Sequence, residues 1–525
     1  MPAQKYVDKY TLKTLKMEPS AGIVPNNSQQ HLMDTIDAVP SLNPIEEPKS
    51  RSDRITWMEW STVIILCFVN LINYMDRYTV AGILDEIRRE FNADFQKAGL
   101  LQTAFVISYM IFAPLFGYMG DRYNRRYLMA FGVFFWSLTT LVGSFMPNYY
   151  TFLLFRSLVG IGEASYSTIA PTIISDIFVS DNRSKMLALF YFAIPVGSGM
   201  GYIVGSTAAS LGDNWRWGLR VTPVLGAVAV ILIIFVLVDP IRGEAEGKSD
   251  IKASSYKGDI KALASNKSFM LSTFGFTCVS FVTGALAWWG PNYIAKGEQL
   301  IRKTDVTQDT AISLVFGVIA MMSGIIGVPL GSLFATRLRP TYPKIDPILC
   351  SIGLFISAPF IFIALCVASS NTVVVFLLVF FGEVALNLNW AIVADILLYV
   401  IVPPRRSTAE AFQILISHAL GDAGSPYLVG WISDTLKTTL HRDDEHTHND
   451  ASVDALIEFK SLQYALFSTC FIEILGAVCF LFTSFYIVDD KAKAEAEMQS
   501  DGGPPTHMYA DDPRLNCSEA NLTTS

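Results

Sequence analysis

The chain has 525 residues, of which 51% are hydrophobic and only 16% carry a charged side chain, a composition far from that of a soluble globular protein. Its formal net charge of −8 and its lack of a basic, aromatic-rich patch argue against nucleic acid as a partner. The 7 cysteines have neither the spacing of a disulfide framework nor that of a metal site. We therefore expect an integral, multi-pass membrane protein.

Apolar segments of spanning length follow one another along most of the chain. A helix needs about 20 residues to cross the hydrocarbon core of a bilayer, and twelve segments come near or exceed that length. The predicted spans are 57–83, 98–120, 127–146, 151–178, 185–210, 217–238, 268–294, 310–336, 346–368, 372–401, 407–435 and 461–488. Residues 1–56 lack the apolar core of a cleavable signal peptide, so the first span is expected to direct insertion.

A charged stretch at 239–267 separates six spans from the next six. Lys and Arg residues near the spans are concentrated on the side that holds both termini, which predicts that both tails are cytosolic. The predicted division is a cytosolic N-terminal tail (1–56), a first six-helix half (57–238), a cytosolic linker (239–267), a second six-helix half (268–488) and a cytosolic C-terminal tail (489–525).

The two halves share an internal repeat. Four features recur in the same order: Gly162-Glu163 as Gly382-Glu383, Asp176-Ile177 as Asp395-Ile396, Arg183-Ser184 as Arg406-Ser407, and "GYIVG" ending at Gly205 as "PYLVG" ending at Gly430. An all-α membrane protein with twelve transmembrane helices in two parallel six-helix halves follows, with a site between the halves.

The stretch "GYMGDRYNRRYL" joins spans 2 and 3. Ordinary charge at a cytosolic membrane edge would explain its cations but neither its glycine pair nor its acid. It resembles the signature of the major facilitator superfamily, which implies that its charges latch the two halves together in one conformational state. The predicted gate residues are Gly117, Asp121, Arg122, Arg125 and Arg126. The second-half counterpart, "GSLFATRLRPTYPK", lacks the acid, so we expect a full latch in the first half only.

Spans 1 and 4 carry buried charges, which are costly inside a bilayer and usually face a protein interior or a water-filled cavity. Arg156, Glu163 and Ser167 share one face of span 4. Arg156 and Glu163 lie two turns apart, so each needs a partner from another span, and span 1 offers Asp76 and Arg77. Asn73 lies one turn before Asp76. A purely structural ion pair is the alternative interpretation.

The four charges sum to zero, which makes their burial tolerable. Binding of an anionic ligand near an Arg could switch the protonation of Asp76 or Glu163, and this gives a physical route to proton coupling. We assign Asp76 and Glu163 to proton coupling, and Arg77, Arg156, Asn73 and Ser167 to substrate binding.

Span 5 contains "AIPVGSGMGYIVG". A phosphate-binding loop is excluded because no strand precedes the glycines, which lie inside a membrane span. Gly197, Gly201 and Gly205 instead form a small-residue face for close helix packing.

Span 11 places His418 one turn before Asp422, and an imidazole oriented by a carboxylate can relay protons. An interhelical hydrogen bond is the alternative role for His418. The loop with His441, His446 and His448 could bind a divalent metal, but acidic loops of this kind usually do not, and we predict no metal.

Long motifs in both halves resemble the Spinster family: "NYMDRYTVAG", "GDRYNRR", "GIGEASYSTIAPT", "YFAIPVGSGMGY", "LRVTP", "NWAIVADIL" and "GDAGSPYL", covering roughly residues 55 to 490. The resemblance implies transport of lysolipids, either lysophospholipids from lysosomes or sphingosine 1-phosphate from cells. It also implies proton-linked movement with Asp76, Arg156 and Glu163 as coupling sites.

These expectations describe a transporter and not an enzyme. It has no cofactor, uses a proton gradient as its driving force, and works as a monomer with a lysolipid, protons and the lipid bilayer as its partners. A lysosomal or late endosomal membrane is favoured by the resemblance, with the plasma membrane second. A carrier of small organic anions or sugars, a non-transporting lipid sensor and a lipid-modifying membrane enzyme are the alternatives, and the enzyme lacks any recognisable catalytic motif.

Overall fold

The computed structural model describes residues 56–178, 180–240, 256–302, 310–402, 405–443 and 451–500, and within these ranges every regular element is helical. The first half contains α1 (Trp57–Gly82), α2 (Leu84–Phe91), α3 (Phe95–Arg122), α4 (Arg125–Gly143), α5 (Tyr149–Ile177), α6 (Ser180–Leu211) and α7 (Arg216–Phe235). The linker contains α8 (Tyr256–Ser265). The second half contains α9 (Lys267–Arg302), α10 (Thr310–Leu338), α11 (Ile345–Val367), α12 (Thr372–Asn387), α13 (Asn389–Val400), α14 (Arg406–Ser417), a π-helical segment (His418–Asp422), α15 (Gly424–Asp443) and α16 (Ala451–Ser500).

Polar caps in the sequence fix where several helices begin. Thr56 and Glu59 form a reciprocal capping box at the start of α1. Asn124, Asn148 and Asn371 accept backbone N–H groups at the starts of α4, α5 and α12. These side chains satisfy backbone donors that a helix leaves without partners.

Ten helical stretches of the described chain are long and apolar enough to cross a membrane. The predicted fourth and eleventh spans are also helical, as α5 and as α14 to α15, but they are not among these ten. The π-helical segment divides the eleventh into two helices. The prediction of an all-α membrane protein is confirmed.

Two helical features add to the predicted division. The linker at 239–267 contains α8, and the last helix continues beyond 488 as α16 to Ser500. Arg405 joins these additions, because its guanidinium pairs with Asp259 of α8 at 3.0 Å and with Glu497 of α16 at 2.8 Å.

The two halves contact each other at one end of the bundle. α3 lies antiparallel to α15, with Gly99 directly against the backbone of Pro426, and α6 packs on α10 where Gly199 meets Gly317. Nearer its C-terminal end, α10 packs on its own half, where Gly331 lies against the backbone of Leu388. We call the end that holds residues 83–97 the closed end.

Candidate functional site

Two buried ion pairs join α1 to α5. Arg77 Nη2 lies 3.3 Å from Glu163 Oε2, and Arg156 Nη1 lies 3.6 Å from Asp76 Oδ2. All four side chains are at most 9% exposed. Arg156 and Glu163 of α5 therefore each have a partner on α1, which is the pairing that the residue spacing indicated. We call these four residues the charged cluster.

Hydroxyl groups from two further helices hold one carboxylate of the charged cluster. Thr140 of α4 donates to Asp76 Oδ2 at 3.2 Å, and Thr222 of α7 donates to Asp76 Oδ1. Arg156 Nη2 donates to the carbonyl oxygen of Arg77 at 3.2 Å. The arrangement is connected and neutral overall, which is the condition under which buried charges are tolerated.

Aromatic rings surround the two guanidinium groups. Arg77 lies 5.0 Å from the ring centres of Tyr74 and Phe105 and 5.7 Å from that of Tyr109. Arg156 lies 4.4 Å from the Phe105 ring. Rings at these distances attract a guanidinium through cation–π interaction and exclude water around it. They also make the cluster an environment in which a further charge would be felt strongly.

Several polar atoms of the charged cluster, and one of neighbouring Asn73, keep unused hydrogen-bonding capacity. Within the described chain, Nε of Arg77 and of Arg156, Oε1 of Glu163 and Oδ1 of Asn73 have no hydrogen-bond partner. Buried polar atoms without a partner are uncommon and call for an explanation, such as a water or a ligand. Donors and acceptors are both present, so the cluster can bind an anionic group and a proton.

Ser167 and Tyr109 extend the cluster towards the second half. Ser167 Oγ lies 2.9 Å from the Tyr109 hydroxyl and 3.0 Å from the carbonyl oxygen of Glu163. The Tyr109 ring meets the His418 ring edge-on, with 6.1 Å between the ring centres. Tyr109 was not among the predicted site residues, because a tyrosine inside an apolar run carries no periodic signal that separates it from a packing residue.

His418 begins the π-helical segment. Its Nδ1 lies 2.8 Å from Asp422 Oδ1, so the proposed imidazole–carboxylate pair is formed within this segment. Single π-turns inside α-helices occur frequently at functional sites. The structure thus places His418 across from the charged cluster, on the other half of the molecule.

The glycine face of α6 packs directly on α1. A Cβ atom added to Gly197 would lie 2.5 Å from the carbonyl oxygen of Leu71, and one added to Gly201 would lie 2.6 Å from that of Met75. At Gly205 the nearest atom, of Thr79, would be 3.0 Å away. Because Met75 directly precedes Asp76 and Arg77, this close packing sets the position of the charged cluster.

The signature "GYMGDRYNRRYL" lies at the opposite end from the closed end. Arg125 pairs with Asp176, and Arg126 donates to the carbonyl oxygen of Ile234, so both bind their own half. Arg122 is exposed and lies over the Tyr118 ring, and a Cβ atom on Gly117 would meet nothing within 4 Å. The side chain of Asp121 lies outside the described part of the structure, as do those of His441, His446 and His448.

The second half has arginine–carboxylate pairs of its own, which join helices within that half, so the expectation of a full latch in the first half only stays a prediction. Arg339 pairs with Asp395 at 2.8 Å and with Asp346 at 2.9 Å. Asp395 is the repeat partner of Asp176, so each half has an arginine bound to the equivalent acid. The acid missing from the second-half motif is replaced by Asp346 at the start of α11.

The closed end is held by polar contacts that the sequence analysis did not identify. Both carboxylate oxygens of Asp434 accept backbone N–H groups of α3, at 3.2 Å from Phe95 and 2.7 Å from Gln96. Arg88 of α2 pairs with Glu458 of α16 at 3.0 Å. These contacts bridge the two halves and close this end of the space between them.

The matching family model is that of the Major Facilitator Superfamily, which matches residues 66–434. The chain is 53% identical over 498 residues to "Protein spinster" of Drosophila melanogaster, covering 88% of this chain and 82% of that protein. It is 49% identical over 447 residues to "Protein spinster homolog 1" of Homo sapiens, covering 83% of each. The chain belongs to the Spinster family of the major facilitator superfamily.

Solved structures agree on the fold. A bacterial homolog of the human lysosomal transporter Spinster, in an inward-facing and unoccupied conformation, superimposes with a TM-score of 0.74 at 18% identity, covering 83% of this chain and 99% of that one. A nucleoside transporter superimposes with a TM-score of 0.60 at 11% identity, covering 80% of this chain and 99% of that one. The predicted major facilitator fold is confirmed, and family membership also confirms that this Spinster protein is a transporter and not an enzyme.

Asp434 provides a test of the closed end in this Spinster protein. We expect Asp434→Ala to speed maleimide labelling of a cysteine placed at buried Ala98 by about two- to thirtyfold, because a lost helix cap costs about 0.5–2 kcal/mol. Labelling would be measured in a variant without native cysteines. Asp94→Ala is the matched control, since Asp94 sits at the cap position of α3 but makes no capping hydrogen bond. Equal labelling rates in the two variants would contradict a role for Asp434 in closure.

Proposed function

We propose that this protein is a secondary active transporter of lysolipids, proton-coupled and working by alternating access. The observation that supports the proposal most is the charged cluster, where two arginines and two acids are buried together beside unpartnered donors and acceptors. Guanidinium groups suit a head-group phosphate, because their donors match phosphate oxygens in a rigid fork. The lysolipid transport that the resemblance to the Spinster family implies supports the same substrate class.

Proton coupling follows from the neutrality of the cluster. A phosphate that approaches Arg77 or Arg156 competes with Glu163 or Asp76 for the cation, and a carboxylate that loses its cation in a water-poor site favours its neutral form. Substrate binding and proton binding are then linked in both directions. His418, paired with Asp422, is a second candidate proton carrier in this proposal.

The structure has contacts between the halves at the closed end, whereas Arg125 and Arg126 bind only their own half in the contacts described above. We propose that Gly117, Asp121, Arg122, Arg125 and Arg126 form the latch at the opposite end in the alternate state. Two halves that rock about a central site give alternating access.

Both tails are proposed to lie in the cytosol, which makes the closed end the non-cytosolic one. The proposed location is a lysosomal or late endosomal membrane, with the plasma membrane second. No cofactor is needed, since the proton gradient supplies the driving force and the monomer contains the whole site.

The test is flux into liposomes that contain the purified protein, with labelled lysophosphatidylcholine or sphingosine 1-phosphate and with or without an imposed pH gradient. The wild type is expected to show gradient-dependent flux of one of these lipids. Asp76→Asn removes the titratable oxygen and should abolish the gradient dependence. Glu473→Gln, which changes a fully buried acid of α16 outside the cluster, is the matched control.

Gradient dependence that survives in Asp76→Asn would remove this carboxyl from the coupling mechanism. Flux of a small organic anion with no flux of either lipid would favour the alternative carrier. Lipid binding without flux would favour a sensor.

A further inference from the structure

We propose that Tyr109 is a positioning residue that couples closure at one end of the bundle to the geometry of the charged cluster. Tyr109 belongs to α3 of the first half and touches both parts of the molecule. It lies under Arg77, bonds Ser167, and meets the ring of His418 on the second half. The inference rests on alternating access but not on the identity of the transported lipid.

Contacts between α3 and the second half run in an antiparallel series away from the closed end. Phe95 and Gln96 bind Asp434, Gln96 Nε2 donates to the Tyr427 hydroxyl at 2.5 Å, and Thr103 Oγ1 donates to the carbonyl oxygen of Ala423 at 2.5 Å. Among the described residues, the contact of Tyr109 with His418 is the last ring contact or hydrogen bond of this series.

The last contact of this series lies nearest the central site about which the halves rock, so opening of the closed end separates α3 from α15 most at Phe95 and least at Tyr109. The rings of Tyr109 and His418 are then turned against each other and stay close together. This rotation moves the ring that faces the Arg77 guanidinium and the hydroxyl that faces Ser167. Tyr109 therefore acts on the cluster through Arg77 and Ser167.

A neighbouring ring provides a matched comparison. Phe105 lies one turn earlier on α3, and its ring centre is 5.0 Å from Arg77 and 4.4 Å from Arg156, so it supports the same guanidinium groups. Its ring contacts are with these two arginines of the first half, whereas the Tyr109 ring also contacts His418. Loss of Phe105 should therefore disturb the cluster without disconnecting it from the second half.

The coupling can be measured without any ligand. Spin labels on cysteines placed at Leu211 and Ile301, which are 85% and 39% exposed at the closed end of the two halves, report the separation of the halves in a variant without native cysteines. We expect Arg77→Gln to change the ratio of open to closed populations by at least about fivefold, the lower end of typical allosteric coupling. In a Tyr109→Leu background the same change should be below about twofold.

Tyr109→Phe keeps the ring, so in this background Arg77→Gln should again change the ratio of open to closed populations. In the Phe105→Leu background, Arg77→Gln should change this ratio as much as it does in the otherwise unchanged protein. If Tyr109 had only a structural role, Tyr109→Leu would change the ratio of open to closed populations by the same factor with and without Arg77→Gln. An undiminished effect of Arg77→Gln in Tyr109→Leu would overturn the proposal, and so would its loss in Phe105→Leu.

A second measurement uses lysophosphatidylcholine as the probe. His418→Ala is expected to weaken the binding of this lipid about fivefold. Because the effects of substitutions at two residues in contact are not additive, His418→Ala should have little effect on binding in the Tyr109→Leu background. If the wild type does not bind this lipid, the proposed substrate fails while the spin-label result still decides the role of Tyr109.

Discussion

Arg156→Ala is expected to weaken lysolipid binding at least about a hundredfold. The substitution removes the guanidinium that lies 3.6 Å from Asp76 and keeps an unused Nε donor. Hydrogen bonds to charged partners in water-poor sites are worth about 1.5–3 kcal/mol each, and a phosphate would lose more than one of them. Binding of lysophosphatidylcholine and sphingosine 1-phosphate to the purified protein is the measurement.

A loss of folding must be separated from a loss of binding in this variant. Removing one partner of a buried ion pair costs about 3–5 kcal/mol, because the remaining charge is left uncompensated. The double variant Asp76→Asn with Arg156→Ala removes that charge, while the hydroxyls of Thr140 and Thr222 can still bond the amide. We expect it to regain thermal stability but not affinity. Wild-type affinity in either variant would exclude Arg156 from the head-group site.

Gly201→Leu is expected to abolish measurable flux. Its first side-chain carbon would lie 2.6 Å from the carbonyl oxygen of Met75 and 2.9 Å from Cβ of Tyr78, so α6 must move away from α1. Overpacking typically costs about 1–3 kcal/mol, and here the displaced backbone also carries Asp76 and Arg77. Flux in liposomes and thermal stability would be measured together.

Ser210→Leu is the matched control for this variant, because it adds the same type of side chain at an exposed position of α6. It should retain flux. Gly201→Ala should show an intermediate loss, since only the Cβ atom must be accommodated. Normal flux in Gly201→Leu would mean that the close packing of α6 on α1 has no part in transport.

Helical periodicity was sufficient to predict the charged cluster. Asp76, Arg77, Arg156 and Glu163 stand out because charges are expensive in a bilayer, and their spacing places them on facing sides of two spans. The partners of Asp76 could not be found in this way. Thr140 and Thr222 lie on two other helices, and threonines in apolar spans are common enough that only tertiary packing identifies these two.

The features missed at the closed end share another cause. Asp434 binds backbone N–H groups of a helix that is more than 300 residues earlier in the chain, and no sequence pattern records a backbone partner. The pair of Arg339 with Asp346 was missed because an acid was sought inside the motif, whereas Asp346 lies at the start of the following helix. The π-helical segment at His418 has only 5 residues, too few for its altered register to be recognised from the sequence.

The length of the last helix allows the motion of the second half to be measured from outside the membrane. α16 has 50 residues, so it is about 75 Å long at 1.5 Å per residue, while the hydrocarbon core is about 30 Å thick. More than half of this helix therefore projects beyond the membrane interior. A fluorescent protein fused rigidly after Ser500 would rotate with the second half. Its emission anisotropy in oriented bilayers would then report each rotation of that half relative to the membrane in real time.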